Sequence, residues 1–271
     1  EIYTLSLHDA LPIYQPIVGM LMGTRNLFPA LRFVSGLVGD DESLQKQVES
    51  GKKRFVGHEL RGSTLGIIGL GAIGSKLAEA AIQLGMNVIG YDPDITVEAA
   101  WRLPSQVRRS ASIDDLVKRA DFVSLHVPLL PATRDLINAE RIKLMKKGVV
   151  LLNFSREGIV NDAAALDSLN EGRLHAYVCD FPSNLLRPHP NFVSLPHLGA
   201  STEEAEENCA IMVSEQIADY LENGNIQNSV NFPNIAMPRE SRYRLAIANA
   251  NVPNMSVGRS EERRVGKECR S

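Results

Sequence analysis

The sequence predicts an α/β fold, a parallel sheet wound with helices on both of its faces. Three observations predict it. Short apolar runs rich in Val, Ile and Leu recur along the chain, as strands buried on both faces require. Segments with helical spacing alternate with those runs. The composition is that of an ordinary globular chain, 271 residues with 44% hydrophobic, 23% charged and a net charge of −3, enough for one large domain or two modest ones. Twenty Gly and 14 Pro are too few for a low-complexity protein. No basic cluster offers an electrostatic footprint for nucleic acid. No apolar run reaches the ~18 residues of a membrane span, and no signal peptide is read at the start. The expected partner is therefore a small molecule, not nucleic acid or membrane. Cys179, Cys209 and Cys269 are odd in number and lack metal spacing, which fits a reducing cytoplasm.

Taken in order, Ile17–Val34 is apolar and Met-rich and reads as a packed helix with its continuation. Asp40–Arg54 is polar and charged, so an exposed connection is expected. Thr64–Ile68 is an apolar run bounded by glycine, a buried strand. Ala72–Leu84 places Ile73, Leu77, Ala80, Ala81 and Leu84 at helical spacing, with Gly85 as its stop. Met86–Tyr91 is the next strand, closed by Asp92-Pro93. Ser112-Ile-Asp-Asp115 opens a short helix that ends near Ala120. Phe122–Val127, Val149–Phe154, His175–Cys179 and Phe192–Leu195 supply further strands. Helices are expected at about Asn138–Lys146 and Asp162–Asn170, the second stopped by Gly172. Ser201-Thr-Glu-Glu204 starts a long amphipathic helix that reaches about Glu222, before Gly224. No internal repeat is present.

The two ends belong to no periodic pattern, yet they are related. One DNA string translates to Glu1–Ile13, and its reverse complement, read out of frame, encodes Arg259–Ser271. The string also looks like a common sequencing adaptor. Both ends are expected to be translated adaptor, and the chain between them a fragment.

Gly69-Leu-Gly71-Ala-Ile-Gly74 sits between a strand and a helix, and Asp92 ends the following strand. That context turns a common glycine-rich turn into a Rossmann-type dinucleotide fingerprint. Gly69 permits the tight turn, Gly71 lets a pyrophosphate approach the backbone, and Gly74 lets helix and strand pack closely. The helix N-terminus offers N–H groups and a positive dipole end to the phosphates. Asp92 would accept hydrogen bonds from ribose hydroxyls and repel a 2′-phosphate, and Tyr91, Pro93 and Asp94 supply no compensating cation. NAD is expected over NADP.

Further motifs follow in order: Gly57-His-Glu-Leu-Arg-Gly62, Leu125-His-Val-Pro128, Asn153-Phe-Ser-Arg-Glu-Gly158, Asp180-Phe181, Pro196-His-Leu-Gly-Ala-Ser-Thr202 and Asn228-Ser-Val-Asn-Phe-Pro233. With them the chain resembles the D-isomer-specific 2-hydroxyacid dehydrogenase family, most closely the branch that oxidises D-3-phosphoglycerate. The resemblance implies NAD-dependent oxidation of that acid to 3-phosphohydroxypyruvate, the first step of serine biosynthesis. It implies a dimer or higher homo-oligomer. It also divides the chain into a substrate-domain remnant at 14–54, an NAD-binding domain at 55–201, a return helix at 202–232, a linker at 233–240 and the start of an ACT regulatory domain at 241–258. In that last stretch, Tyr243–Met255 looks like the domain's first strand and turn.

Oxidising a 2-hydroxy acid needs a hydride acceptor, a base for the hydroxyl proton and a cation for the carboxylate. His197 is the natural base, since imidazole titrates near neutrality and its Pro-His-Leu-Gly loop follows a strand. Arg156 follows another strand with a planar fork suited to a carboxylate. The resemblance gives Arg156 the substrate's orientation and the polarisation of its 2-oxygen. It also places Phe154, Ser155, Asp180, His126, Val127, Pro128, Gly199 and Ala200 around the cofactor, with Ala72 and Ile73 at its phosphates. No metal site is expected, since Glu203, Glu204, Glu206 and Glu207 read as a solvated helix start. His58 and His175 read as structural, His189 as a surface residue and Cys179 as core.

One departure matters. The family places a glutamate a few residues beyond the Asp180 position to hold the histidine. The stretch Phe181-Pro-Ser-Asn-Leu-Leu-Arg187 contains no acid, and Leu185 falls near its place. A less basic His197 and a lower pH–rate profile are expected. Two rivals stay open: a dehydrogenase of another small 2-hydroxy acid such as glycerate or lactate, and a catalytically weak NAD-sensing module.

Overall fold

The computed structural model describes residues 13–199, 201–229, 232, 235–241 and 243. The stretches read as adaptor and as the ACT start, except Ile13, Ser241 and Tyr243, lie outside the described residues, as does Ala200. The chain forms two compact units that divide between Thr202 and Glu203.

The larger unit is the predicted wound sheet. Its strands are β1 (Thr64–Ile68), β2 (Asn87–Tyr91), β3 (Arg108–Arg109), β4 (Phe122–Leu125), β5 (Val149–Asn153), β6 (Leu174–Cys179) and β7 (Phe192–Ser194). All are parallel, in the order β3-β2-β1-β4-β5-β6-β7. The chain winds outward from β1 in one direction, then returns to its other side at β4, which makes the β1–β4 junction the switch point where such sheets bind ligands.

Alternation along the strands sorts the core into two layers. Leu65, Ile67, Val150, Leu152, Ala176 and Val178 face α1 (Tyr14–Thr24) and α4 (Ala72–Gln83), packing on Met20, Leu77, Ala78 and Ala81. Ile68, Val123, Leu125, Val149, Leu151 and Tyr177 face the other way. They meet Leu116 and Val117 of α6 (Ile113–Arg119), Ile142 of α7 (Ala139–Leu144), and Ala164, Ala165 and Leu169 of α8 (Asp162–Asn170). Both faces of every central strand are dry, which is why these strands read as unbroken apolar runs.

The helix starts are capped, at Ser112 as expected and at two asparagines as well. Ser112, Asn138 and Asn161 each accept a hydrogen bond from the backbone N–H three residues on, starting α6, α7 and α8. Gly85 and Gly172 follow α4 and α8 with φ of +79° and +65°.

Three elements correct or extend the sequence reading. The apolar segment after Ile13 is two helices, α1 and α2 (Leu27–Ser35), broken at Asn26 with φ +51°. Asp40–Arg54 is not a mere connection: it contains α3 (Asp41–Gly51) and a 3₁₀ turn over Lys52–Phe55. The Asp40 carboxylate caps α3 at Ser43 N (2.9 Å), and Lys46 pairs with Glu42 across one turn. A helix held by its cap and charges carries no apolar stripe to betray it. Finally, α5 (Val97–Arg102), capped by Thr96, leads into the two-residue edge strand β3.

In the smaller unit α9 (Glu203–Asn223) runs as one long helix opening on Glu203, Glu204 and Glu206, where acids suit the dipole. After it, Ile226 and Ile235 exchange a pair of backbone hydrogen bonds of 2.8 Å each. No helix among the described residues is long and apolar enough to cross a membrane.

Candidate active site

Strand register aligns the site. Tyr91, Ile68, Leu125, Asn153, Cys179 and Ser194 form one row across β2, β1, β4, β5, β6 and β7. The next residues along each strand therefore emerge at one edge: Asp92, Gly69, His126, Phe154, Asp180 and Leu195. Residues far apart in sequence become neighbours because each ends a strand of the same sheet.

At the switch point the chain turns from β1 into α4. Gly69 adopts φ +93°, and a Cβ there would run into the carbonyl of His126 on the neighbouring strand end. Gly74 is buried in the first turn of α4, where a Cβ would strike the Gly69 carbonyl. Gly71 and Ala72 are exposed, Ile73 is half-buried, and Gly71 faces open space. The helix has no side-chain cap, so its first N–H groups point outward without a protein acceptor from a cap residue.

Asp92 closes the turn from the β2 side. Its Oδ2 accepts the Leu70 N–H at 2.8 Å and its Oδ1 the Asp94 N–H at 3.0 Å. Both oxygens are thereby aimed, with lone pairs left for another donor.

From β4, the His126 imidazole contacts the Ser124 hydroxyl at 2.8 Å, and burial pushes it down to about 4. It is a neutral support of the strand end at physiological pH. Val127 is half-buried and Pro128 exposed beyond it.

From β5, Asn153 is buried and pins the loop that follows. Its Oδ1 accepts from Ser155 N (3.3 Å) and Ser155 Oγ (3.0 Å), while its Nδ2 donates to the Arg156 carbonyl at 2.9 Å. Arg156 is exposed, and its Nη1 donates to the Ser155 carbonyl at 2.6 Å.

The β6 and β7 ends bring Asp180 and His197 together. Asp180 Oδ2 lies 3.8 Å from His197 Nδ1, and the carboxylate side chain is only 2% exposed against 62% for the imidazole. Oδ1 is buried without a hydrogen-bond partner among the described residues. Burial pushes the carboxyl up to about 6, against the opposing pull of His197. The Phe181 ring lies 5.9 Å from the imidazole centre to centre. Cys179 beside them is buried, donates to the Phe181 carbonyl at 3.2 Å and is pushed up to about 12, a packed thiol and not a nucleophile.

Residues 29–199 match the family described as D-isomer specific 2-hydroxyacid dehydrogenase, NAD binding domain. The chain belongs to that family. Among curated relatives it is 43% identical over 206 residues to the D-3-phosphoglycerate dehydrogenase of Methanocaldococcus jannaschii, a match covering 74% of this chain and 38% of that protein. It is 38% identical over 194 residues to the D-3-phosphoglycerate dehydrogenase of Bacillus subtilis, covering 69% and 36%. Among solved structures, the pyruvate reductase of Chlamydomonas reinhardtii is 30% identical with a TM-score of 0.61, covering 78% of this chain and 65% of that one. The chain thus spans under two fifths of the length of these two curated relatives.

As a 2-hydroxyacid dehydrogenase NAD-binding domain, the chain takes NAD, and its own geometry fits that group. The space in front of Gly71 and the uncapped α4 N-terminus suit a pyrophosphate, and Asp92 suits a ribose diol.

Two features escaped sequence reasoning. Asn153 is one: it lies in the Asn153–Gly158 motif, and its signal is a lone amide ending an apolar strand. The Asp180–His197 approach has no signal in spacing, because the segment between β6 and β7 hides it. The segment Phe181–Arg187 does lack an acid, and Leu185 is 49% exposed there. His189 is half-buried, its Nδ1 accepting the Asn191 N–H at 3.1 Å to close the turn before β7.

Proposed function

We propose that the protein catalyses NAD-dependent oxidation of D-3-phosphoglycerate to 3-phosphohydroxypyruvate, the entry to serine biosynthesis, in the cytoplasm. The observation that carries the reading is the convergence of Asp92, the Gly69–Gly74 turn, the Asn153-pinned Arg156 loop and the Asp180–His197 approach at one sheet edge. The D-3-phosphoglycerate dehydrogenases among its relatives support the substrate.

Each residue has a task. Asp92 holds the adenosine ribose, while the Gly71, Ala72, Ile73 and Gly74 backbone holds the phosphates. His126, Val127, Pro128, Phe154, Ser155, Asp180 and Gly199 wall the nicotinamide half. Arg156 receives the substrate carboxylate and polarises the 2-oxygen. His197 removes the hydroxyl proton as the carbonyl forms, and returns it in reduction. NAD, when bound, supplies the acceptor for the hydride that leaves C2. The same reading takes the working protein as a homodimer or higher homo-oligomer.

The test is NADH formation by the full-length protein with 3-phosphoglycerate, D-glycerate and D-lactate. Turnover of 3-phosphoglycerate is expected to exceed the others and to fall by about 10³-fold or more in Arg156→Ala and His197→Ala, as loss of a positioned acid–base and its anion clamp requires. Preference for lactate or glycerate would move the substrate within the family. NAD binding with no turnover of any of the three would instead favour an NAD-sensing module, the reading to which the missing glutamate lends weight.

A further inference from the structure

The segment where the family carries its histidine-holding glutamate has no acid in this chain, yet His197 is not without a carboxylate. Resting on the reading of His197 as the base, we infer that Asp180 is its positioning residue. It holds the imidazole through Nδ1, leaves Nε2 for the substrate, and so replaces the absent glutamate from a different strand end.

The geometry is specific. Asp180 leaves β6 with its N–H directed to the Asn153 carbonyl at 3.4 Å, and Leu195 leaves β7 with its N–H on the Cys179 carbonyl at 2.8 Å. The two loops are thus tied to adjacent strands in fixed register, Cys179 opposite Ser194. The carboxylate is buried and the imidazole is exposed, 3.8 Å apart. Approach by about 1 Å makes a charge-assisted hydrogen bond. The buried, unpartnered Oδ1 points the same way, because a buried carboxylate oxygen without a donor is costly unless a cation offsets it.

The other charged and titratable groups around the pair do not compete for this role. Tyr177 and Cys179 on β6 are held protonated by burial. Arg156, on the loop after β5, spends an N–H on the Ser155 carbonyl. Asp162 starts α8 and bears on Tyr177 and Cys179, while Arg187 and His189 lie on the segment before β7. Among the described residues, His197 is the ionisable group whose charge acts on Asp180. When His197 takes the hydroxyl proton at Nε2, the positive ring faces this carboxylate.

The experiment follows the ¹³C carboxyl signal of Asp180 through a pH titration of the whole chain, without NAD or substrate. Loss of the imidazole in His197→Gln is expected to move the carboxyl midpoint upward by about half a pH unit or more, since a neighbouring cation favours the carboxylate. An unmoved midpoint overturns the inference. The same titration in wild type guards against a damaged variant: the Asp180 signal must also register the step at which the His197 ring titrates, and a carboxyl silent to that step overturns the inference as well. In turnover by the full-length protein, Asp180→Asn is expected to move the acid limb of the kcat/KM profile to lower pH and Asp180→Glu to restore it. An acid limb unmoved in Asp180→Asn counts against the pair. Failure to oxidise any 2-hydroxy acid would sink the functional reading and leave the carboxyl titration as it stands.

Discussion

Asp180 sits where folding and chemistry pull in opposite directions. Its carboxyl titrates near 3.8 in an unfolded chain and is raised to about 6 by burial. A raised pKa means the folded state holds the proton more tightly, so the stability linked to it is full below pH 3.8 and lost as pH rises through 6. Asp180→Asn preserves the shape and removes the charge. It is expected to stabilise the protein by about 1–3 kcal/mol at pH 8 and by nearly nothing at pH 3.5, read from urea unfolding. A gain independent of pH would show that burial of charge is not the cause. His126 carries the reverse dependence: lowered from 6.5 to about 4, it contributes stability above pH 6.5 that is lost as pH falls through 4. At this scale the glycines and Asp92 were legible, because a turn and a ribose contact impose residue types at fixed spacing. The partner of His197 was not, because its identity depends on which loops two neighbouring strands deliver to the same place.

Between elements, legibility followed apolarity. The inner strands and α4, α6 and α8 bury faces, and their spacing announced them. The helix α3 buries little, being held by Asp40 and by surface ion pairs, so its charges read as a connection. The strand β3 is two exposed arginines at the sheet edge, too short for any pattern. The close approach of the first turn of α4 to the Gly69 carbonyl depends on one buried glycine. Gly74→Val is expected to cost about 2–4 kcal/mol, because the side chain must displace the Gly69 carbonyl or the helix itself. NAD affinity should fall with it, and thermal melting alongside cofactor titration checks both. Retained stability would mean that helix and turn can separate more easily than their contact implies. By contrast Ser112→Ala, which removes only the α6 cap at Asp115 N (3.1 Å), should cost about 1 kcal/mol and leave cofactor binding alone.

For the molecule as a whole, the alternation of strands and helices was enough to predict a covered parallel sheet. The spatial order of its strands was not legible, since periodicity says nothing about neighbours. The expected behaviour of the 271-residue chain follows from what it spans. It carries the strand ends and the glycine turn of the dinucleotide edge but spans under two fifths of the length of the two curated relatives described above. NAD at about a hundred times its Kd should raise stability by about 2.7 kcal/mol, visible as a rise in Tm, and NADP should do much less because of Asp92. Turnover of 3-phosphoglycerate by the chain alone should stay low, and brisk turnover would contradict this. The vacancy before Gly71 has a wider meaning. Its backbone, at φ −67° and ψ −162°, suits any amino acid, and a methyl there would touch nothing. Architecture has no use for glycine at 71; bulk there would be tolerated in the cell until the day dinucleotide had to be grasped, so its bareness is a fingerprint left by employment, not by construction.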